Sequence, residues 1–382
     1  MKKTLLVFSL FCFFSVNAQN ISYNRKIVDT LTSRAFWGRG YTKSGMKNAA
    51  DFLANEFKLI GLKPLDEKAF LQPFIFSANT FPGKMKVEIN GKKLKPGIDY
   101  IVSEDSRGLK GKGNFLQVDS VHFTTTSSRF NIVFEKKLTW SASEKQADYT
   151  LIKIDKNKFN EIPKTFKVKI ENKFVPNFEA CNVCAMVPGT AQPDSFIFIT
   201  AHYDHLGGMG KDTFFPGAND NASGVALLLS LAKYYAAHPQ KYSIGFILFA
   251  AEEIGLLGSK YYTEHPIIPL DKIRFLTNTD LAGTGDEGIT VVNATVFPKE
   301  FALMNKINNE NKYLTSIGAR GKAANSDHYW FTEKGVPSFF FYTKGGVTFY
   351  HDVNDKAATL PLNEQADLLK LILKFNDGLQ GN

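Results

Sequence analysis

The chain has 382 residues, of which 44% are hydrophobic, so it is long enough to bury one large core. The 46 basic and 37 acidic residues leave a net charge of +9. This excess does not indicate a nucleic-acid partner, because the lysines between residues 84 and 173 alternate with apolar residues, as on solvated strand faces, and no nucleic-acid-binding motif accompanies them.

Residues 1–18 have the pattern of a secretory signal peptide. Two lysines precede an apolar run from Leu5 to Val16, and the small residue Ala18 stands before Gln19. The alternative is a membrane anchor, but the run is about a dozen residues long and a bilayer requires roughly 20. We therefore predict an exported protein, periplasmic or secreted, with no stable membrane anchor once the signal is removed.

Two regions with different patterns follow the signal. Residues 19–69 predict a helical segment that forms the N-terminal part of the main domain, because apolar residues recur at helical spacing from Met46 to Ile60. Ser44 can cap this helix and Gly61 can stop it. Residues 70–178 instead show short alternating runs separated by turn residues, which predicts a β-rich insert or accessory module.

From residue 179 to residue 382, predicted strands and helices alternate. Such alternation predicts an α/β domain whose sheet is largely parallel at its centre, with helices on both faces. The predicted strands are 196–200, 244–250, 275–281 and 336–342, and the predicted helices are 222–237, 298–310 and 362–375. In such sheets, binding sites form at the carboxyl ends of the strands.

Cys181 and Cys184 form a CxxC motif, which can indicate a redox site, a zinc site or a disulfide. The surrounding residues favour a strand, on which residues three apart point to opposite faces. We therefore predict two buried free thiols.

Polar residues follow the first two apolar runs of this domain. His202 and Asp204 come directly after the first strand, so His202 could bind a metal while Asp204 orients its other ring nitrogen. Asp220 lies in a polar turn before an apolar helix. A polar strand end explains a lone histidine, and an N-terminal cap explains a lone aspartate, equally well.

The remaining strand ends carry more acids. Glu252 and Glu253 follow the second strand, and adjacent carboxylates there are costly to bury unless a metal compensates them, although a solvated helix start is the alternative. Asp280 ends the third strand, and His351 follows the last. Oxygen and nitrogen donors without a thiolate suit one or two zinc ions at a catalytic centre.

Six segments, in this order and spacing, resemble peptidase family M28, the co-catalytic zinc aminopeptidases: AHYDHLG, GANDNASG, AAEEIGLLGS, NTDLAG, SDHYWF and YHDVND. The resemblance covers roughly residues 180–380 and, more loosely, the helix at 44–61. It implies the three-layer αβα zinc-exopeptidase fold with a mixed, centrally parallel sheet. The stretch 70–175 resembles neither the protease-associated insert of many relatives nor the relatives without an insert.

The resemblance also implies two zinc ions per chain. Asp220 would bridge them, with a cis peptide bond to Asn221, while His202 and Asp280 would complete one zinc site and Glu253 and His351 the other.

Further roles follow from the same resemblance. Glu252 would be the general base, and Tyr350 would steady the tetrahedral intermediate. Asp204 would support His202, and Asp327 would either line the site or act as a structural cap.

The expected reaction is hydrolysis of N-terminal residues from peptides that have a free amino group. A glutaminyl cyclase, with one zinc, is the first alternative, although the GLLGS segment after the paired glutamates and the tyrosine before His351 favour the peptidase. A non-catalytic binding domain is the second, against which the complete ligand set argues. The sequence leaves open the preferred N-terminal residue and the oligomeric state.

Overall fold

The computed structural model describes residues 21–381. The predicted signal peptide lies outside this range. Within the range, no helix is both long and apolar enough to cross a bilayer.

The helices are numbered in chain order, and short 3-10 turns are left unnumbered. They are α1 (21–31), α2 (Gly45–Ile60), α3 (Gly224–Ala237), α4 (Leu257–Glu264), α5 (Pro298–Asn311), α6 (His328–Glu333) and α7 (Gln365–Leu379). The helix predicted near residues 46–60 is α2, and it buries Met46, Ala49, Ala50, Leu53 and Phe57. Gly61 ends it at φ +92°, as predicted, but the Ser44 side chain makes no capping hydrogen bond.

The strands form the central sheet, the two sheets of the β-rich stretch and a two-stranded sheet made of β14 and β15. They are β1 (Lys63–Pro64), β2 (Leu71–Thr80), β3 (Met85–Ile89), β4 (Lys92–Leu94), β5 (Tyr100–Val102), β6 (Leu109–Asn114), β7 (Leu116–Gln117), β8 (His122–Thr124), β9 (Phe130–Glu135), β10 (Thr150–Asp155), β11 (Thr165–Ile170), β12 (Lys173–Val187), β13 (Gln192–His202), β14 (Gly208–Met209), β15 (Thr213–Phe214), β16 (Tyr242–Phe249), β17 (Ile273–Thr279), β18 (Ile289–Val292), β19 (Ile317–Ala319) and β20 (Ser338–Thr343). Every strand and helix predicted from residue 179 onward is present, with ends shifted by a few residues.

The central sheet of the described chain has nine strands in the order β1-β12-β16-β13-β17-β20-β18-β19, with β2 also paired to β12. Strands β16, β13, β17 and β20 run parallel to one another. The flanking strands β12 and β18 are antiparallel to β16 and β20. This confirms the predicted mixed, centrally parallel sheet, and it brings the carboxyl ends of four strands to one edge.

Alternate residues of the parallel strands enter two different cores. On β13, Ile197 and Ile199 pack with α2, α3 and α7, whereas Phe196 and Phe198 pack with α4 and α6 on the opposite face. Strands buried on both faces read as continuous apolar runs because each face contacts helices. The result is the predicted three-layer α/β architecture.

Residues 85–170 form two further sheets with a core of their own. One sheet has the order β5-β10-β9-β8-β7 and the other β4-β3-β11-β6. Their apolar faces enclose a third cluster that also contains Leu206, Met209 and Phe215, which belong to the loops after β13. Strands β2 and β12, at the ends of the predicted insert, pair with each other in the central sheet. The β-rich stretch is therefore packed directly against the loops that follow the first parallel strand.

Both cysteines of the CxxC motif are free thiols on β12. Cys184 is buried, and burial raises the pKa of its thiol. Cys181 is only half-buried, so the prediction that both thiols are buried was wrong for this residue. The difference arises because the two side chains lie on opposite faces of the strand.

Candidate active site

The residues predicted to bind metal converge at the carboxyl edge of the central sheet. His202 is the last residue of β13, Asp280 follows β17, and Glu252 and Glu253 follow β16 by three and four residues. Asp220 lies in the irregular turn Ala218–Ser223 before α3, and its peptide bond to Asn221 is cis, as predicted. His351 comes from the loop after β20.

Asp220 lies between the two histidines. Its Oδ1 is 3.4 Å from His202 Nε2, and its Oδ2 is 3.1 Å from His351 Nε2. His202 Nε2 is also 3.2 Å from Asp280 Oδ1, and His351 Nε2 is 3.0 Å from Glu253 Oε2. Each histidine therefore shares Asp220 and has one further carboxylate of its own.

Main-chain carbonyls fix the orientation of both imidazoles. His202 Nδ1 is 3.2 Å from the carbonyl oxygen of Asp204, and His351 Nδ1 is 2.8 Å from that of Trp140. A carbonyl only accepts, so each Nδ1 must carry a proton. In the neutral ring, Nε2 then presents a lone pair to carboxylate oxygens, an arrangement that requires a cation between them or a second proton on the ring.

The charges around His351 also require a cation or a second proton on the ring. Burial alone would lower the pKa of His351, but the carboxylates of Glu253 and Asp220 raise it to about 11. The two carboxylates therefore favour a positive charge at the His351 ring.

Asp280 offers a buried oxygen that the rest of the described chain leaves unpaired. Its Oδ2 accepts a hydrogen bond from Ser326 Oγ at 2.9 Å, whereas its buried Oδ1 has no hydrogen-bond partner within residues 21–381. Two sets of side chains place donor atoms within 4.8 Å of one another: His202, Asp220 and Glu253, and His202, Glu252 and Asp280. Such sets of oxygen and nitrogen donors fit a transition metal at a catalytic centre.

Glu252 lines the same small cavity as His202, Asp220, Asp280 and His351. Burial raises the pKa of its carboxyl group well above the ordinary value, and the charges of Asp280 and Glu253 raise it further against the opposing effect of His202. Ala251, the residue before Glu252, is a non-glycine residue in the left-handed region, at φ +59°. Leu281, after Asp280, and His351 itself are also in this left-handed region. Such strain is typical of functional sites.

Asp204 lies beside Nδ1 of His202, its predicted partner, and also contacts the glutamate pair. Its carboxylate lies 3.7 Å from His202 Nδ1, farther than its own carbonyl oxygen. The carboxylate instead accepts the backbone N–H groups of Glu252 at 3.1 Å and Glu253 at 3.4 Å, and the Tyr41 hydroxyl at 3.3 Å. Asp204 therefore holds the backbone of the glutamate pair.

Asp327 and Tyr350 lie beside the ligands. Asp327 precedes α6 but makes no side-chain capping bond, and burial raises the pKa of its carboxyl group to about 7. Tyr350 is 44% exposed, and its ring stacks on the His351 ring with 3.9 Å between centroids.

Four of the five predicted ligands, all except Glu253, line a cavity of about 210 Å³. Besides the acids and histidines, its walls include Leu281, Arg320, Asn325, Phe340 and Tyr342. This volume is smaller than that of most ligand pockets, so it suits the end of a chain better than an extended polypeptide.

The sequence model described as "Peptidase family M28" matches residues 182–376, which is half of the chain and includes every residue predicted for the site. The chain belongs to peptidase family M28.

Among curated proteins, this M28 chain is 32% identical over 184 residues to aminopeptidase YwaD of Bacillus subtilis, covering 44% of this chain and 37% of that one. It is 27% identical over 247 residues to a probable leucine aminopeptidase of Trichophyton verrucosum, covering 57% and 62%. The match thus spans less than two thirds of either relative.

Solved structures share the fold at low identity. An aminopeptidase from Aneurinibacillus sp. strain AM-1 superposes with a TM-score of 0.66 at 18% identity, covering 93% of this chain and 92% of that one. A zinc aminopeptidase from Bacillus subtilis superposes with a TM-score of 0.67 at 18% identity, covering 93% and 94%. Each superposition covers 93% of this chain, and the part left out has fewer residues than the stretch 70–178. The shared fold therefore includes part of the β-rich stretch.

Sequence reasoning missed Arg39, which holds the turn that carries Asp220. The buried guanidinium donates to five carbonyl oxygens, those of Leu31, Tyr203, Pro216, Gly217 and Asp220, at 2.7 to 3.2 Å. The next residue, Gly40, lets the backbone pass close to Gly207, because a Cβ at position 40 would lie 2.4 Å from Gly207 Cα. Burial lowers the pKa of Arg39 to about 10, and nearby carboxylates oppose this shift, so the group stays charged.

His205 and Asp355 were also missed, although both lie in segments that carry the M28 resemblance. His205 Nδ1 is 2.5 Å from Glu253 Oε1. The Asp355 carboxylate accepts the backbone N–H groups of Asn219 and Asp220 at 2.9 to 3.1 Å. Their spacing along the chain gives no sign of these contacts, which form only when the loops meet.

Trp140 connects the β-rich stretch to His351. In addition to the imidazole contact, its backbone N–H donates to the His351 carbonyl at 3.1 Å. Its indole Nε1 donates to the Val102 carbonyl on β5 at 2.8 Å, and its ring packs 4.7 Å from that of Phe215. The stretch 70–178 therefore supplies an acceptor that orients a candidate metal ligand.

We predict that Arg39→Met destabilises the metal-free protein by about 3 kcal/mol or more, because five buried carbonyls lose their donor. Urea unfolding at constant pH measures this change. Arg274→Met is the matched control, since Arg274 is exposed and, among residues 21–381, its side chain hydrogen-bonds only to Ser195 Oγ. Equal effects of the two substitutions would contradict the role given to Arg39.

We predict that Trp140→Phe weakens binding of one zinc equivalent by up to about tenfold, because the carbonyl that orients His351 loses its anchor on β5. Competition with a chromogenic chelator measures this affinity. Trp330→Phe is the control, since the Trp330 indole nitrogen has no hydrogen-bond partner in the described chain. Unchanged zinc affinity in Trp140→Phe would show that the β-rich stretch does not set the His351 orientation.

Proposed function

We propose that this M28 protein is an exported zinc-dependent aminopeptidase that removes N-terminal residues from peptides, with Glu252 as general base. The observation that carries the proposal is the position of Asp220, whose two carboxylate oxygens each face a different histidine. A carboxylate so placed suits two cations a few ångströms apart. The names of the curated relatives, aminopeptidase and probable leucine aminopeptidase, agree with it.

The donor set fits zinc. Both histidines have Nδ1 against a carbonyl and Nε2 free to bind, and Asp280 Oδ1 is buried without a partner in residues 21–381. We assign His202, Asp220 and Asp280 to one ion, and Asp220, Glu253 and His351 to the other. When bound, zinc supplies a Lewis acid that polarises the scissile carbonyl and makes water a better nucleophile.

Side chains of the protein transfer the proton from the attacking water to the departing amine. Glu252 borders the cavity without acting as an assigned ligand, and its raised pKa suits a group that accepts a proton from attacking water and then returns it to the departing amine. Tyr350 stands at the open side of the cavity, stacked on His351, where its hydroxyl can donate to the oxygen of the tetrahedral intermediate. Asp204 fixes the backbone of Glu252 during these steps.

The cavity favours a short, apolar N-terminal residue. Its volume of about 210 Å³ has room for little more than one side chain, and Leu281, Phe340 and Tyr342 give it an apolar wall. A free amino group would meet the carboxylates at the opposite wall. We therefore assign peptides with an unblocked, apolar N-terminus as substrates.

The test is turnover by the zinc-loaded protein of two substrates, a leucyl anilide with a free amine and a peptide with N-terminal glutamine. Chelator-sensitive cleavage of the anilide, absent when its amine is acetylated, is the expected result. Cyclisation of the glutamine without anilide cleavage would replace the proposal with a glutaminyl cyclase. Turnover of neither substrate with zinc bound would favour a binding domain.

We predict that Glu252→Gln keeps its zinc and loses activity by about 10² to 10⁴, because the general base is gone while the assigned ligands remain. Asp220→Asn should lose both zinc and activity. Metal analysis after dialysis and anilide turnover measure the two effects, with exposed Glu264→Gln as the control. Equal loss of zinc in the two site variants would contradict the division of roles.

Export rests on the sequence of residues 1–18. We predict that the protein recovered outside the cytoplasm of an expressing bacterium begins at Gln19, because cleavage follows the small residue Ala18. Mass spectrometry of the intact chain measures the N-terminus. Retention of Met1 in a cytoplasmic product would contradict the signal peptide.

A further inference from the structure

The four-stranded sheet of the β-rich stretch carries a strongly basic outer face. Its side chains border a shallow cavity of about 770 Å³, separate from the candidate active site. Six lysines and one acid contribute to it: Lys86, Glu88, Lys93, Lys110, Lys112, Lys167 and Lys169. We call this surface the lysine face. It is unrelated to the residues proposed for catalysis.

Strand register places these charges in two rows. In one row, Lys110 on β6 is opposite Lys169 on β11, which is opposite Lys86 on β3. In the other row, Lys112 on β6 is opposite Lys167 on β11. Lys167 is opposite Glu88 on β3, and Glu88 is opposite Lys93 on β4. Neighbours across the strands are about 4.8 Å apart, and the rows are about 7 Å apart. The face is therefore a regular grid of positive charge.

Few of these charges are neutralised within the protein. Among residues 21–381, Lys169 forms an ion pair with Glu171, at 2.9 Å, and the other five lysines have no carboxylate within ion-pair distance. Like charges directly opposite each other destabilise a sheet. A partner that supplies anions at similar spacing would remove this repulsion.

The surface between the lysines indicates the kind of anion. None of the residues that border the cavity is aromatic, so the face has no platform on which nucleic-acid bases could stack. Of its apolar members, Val87, Leu94 and Val168 are buried and Met85 is half-buried, so the face has no exposed apolar group to insert into a bilayer. A chain with regularly spaced carboxylate or sulfate groups and no bases needs neither feature.

We propose that the lysine face binds a linear acidic polysaccharide. Carboxylate or sulfate groups of successive sugars lie along the rows and contact the lysine ammonium groups. The β-rich stretch thereby attaches the catalytic domain to an anionic glycan, while the candidate active site stays open to peptides. Binding is dominated by charge and falls steeply with salt, because each contact releases counterions.

The test measures binding of the full chain without its signal peptide to heparin, used as a sulfated polysaccharide probe, and to alginate, which carries carboxylates. The face variant is the triple substitution Lys110→Gln, Lys112→Gln and Lys167→Gln, at three unpaired positions. The control is the triple substitution Lys58→Gln, Lys299→Gln and Lys334→Gln, at exposed positions elsewhere. Both variants lose the same net charge.

We expect the face variant to weaken heparin binding by about tenfold or more, and the control variant to change it by less than about twofold. Glu88→Gln removes the single acid of the grid and should tighten binding by about twofold to fivefold, a gain that misfolding cannot imitate. Anilide turnover in all three variants should stay unchanged.

Three outcomes would overturn the proposal. One is equal weakening in the two triple variants, which would reduce the effect to net charge. The second is absence of heparin and alginate binding by the unmodified chain at physiological salt. The third is tighter binding to duplex DNA, or to phosphatidylcholine vesicles containing phosphatidylglycerol, than to either polysaccharide.

Discussion

Crowding of negative charge at one edge of the central sheet is the constraint on which the site depends. Seven acids lie buried or nearly so in this small volume: Asp204, Asp220, Glu252, Glu253, Asp280, Asp327 and Asp355. Within the described chain, Arg39 is the one buried side chain with a permanent positive charge. Since isolated buried carboxylates are very costly, each must have a hydrogen-bond donor, a cation or a proton. Asp204 and Asp355 accept hydrogen bonds from backbone N–H groups, whereas Glu253 and Asp280, which are proposed as metal ligands, face imidazoles. A metal ion completes the compensation where the protein supplies none.

The sequence predicted those parts of the structure that periodicity and strand order control. Apolar runs located the parallel strands, and the rule that sites form at strand ends selected His202, Glu253 and Asp280. Contacts between distant loops could not be predicted from the sequence. Arg39 lies in a short segment without periodicity, and its five acceptors come from three separate parts of the chain. Asp204 lies against its predicted partner, His202, but the contacts of its carboxylate with the N–H groups of Glu252 and Glu253 were not predicted, because sequence does not show which N–H groups turn toward a side chain.

The β-rich stretch is tied to the catalytic part by more than a linker. Its core includes Leu206, Met209 and Phe215, so the loops after β13 are buried partly by residues of the stretch. The contact between Trp140 and His351 extends this connection to the ligands. Movement of the two sheets relative to the central sheet would thus disturb the site, while the lysine face, on the outer surface, can contact a partner without reaching it. One module can in this way combine support of the site with attachment.

The two carbonyls that orient the histidines have an evolutionary consequence. Any amino acid at position 140 or 204 provides a main-chain oxygen, so mutation of these side chains does not by itself remove the acceptor. The acceptor atom at position 140 therefore persists with any side chain, although in this protein the Trp140 indole anchors that part of the backbone to β5. Comparing residue types in related sequences would then overlook this part of the site, and only the path of the backbone would reveal that distant relatives preserve it.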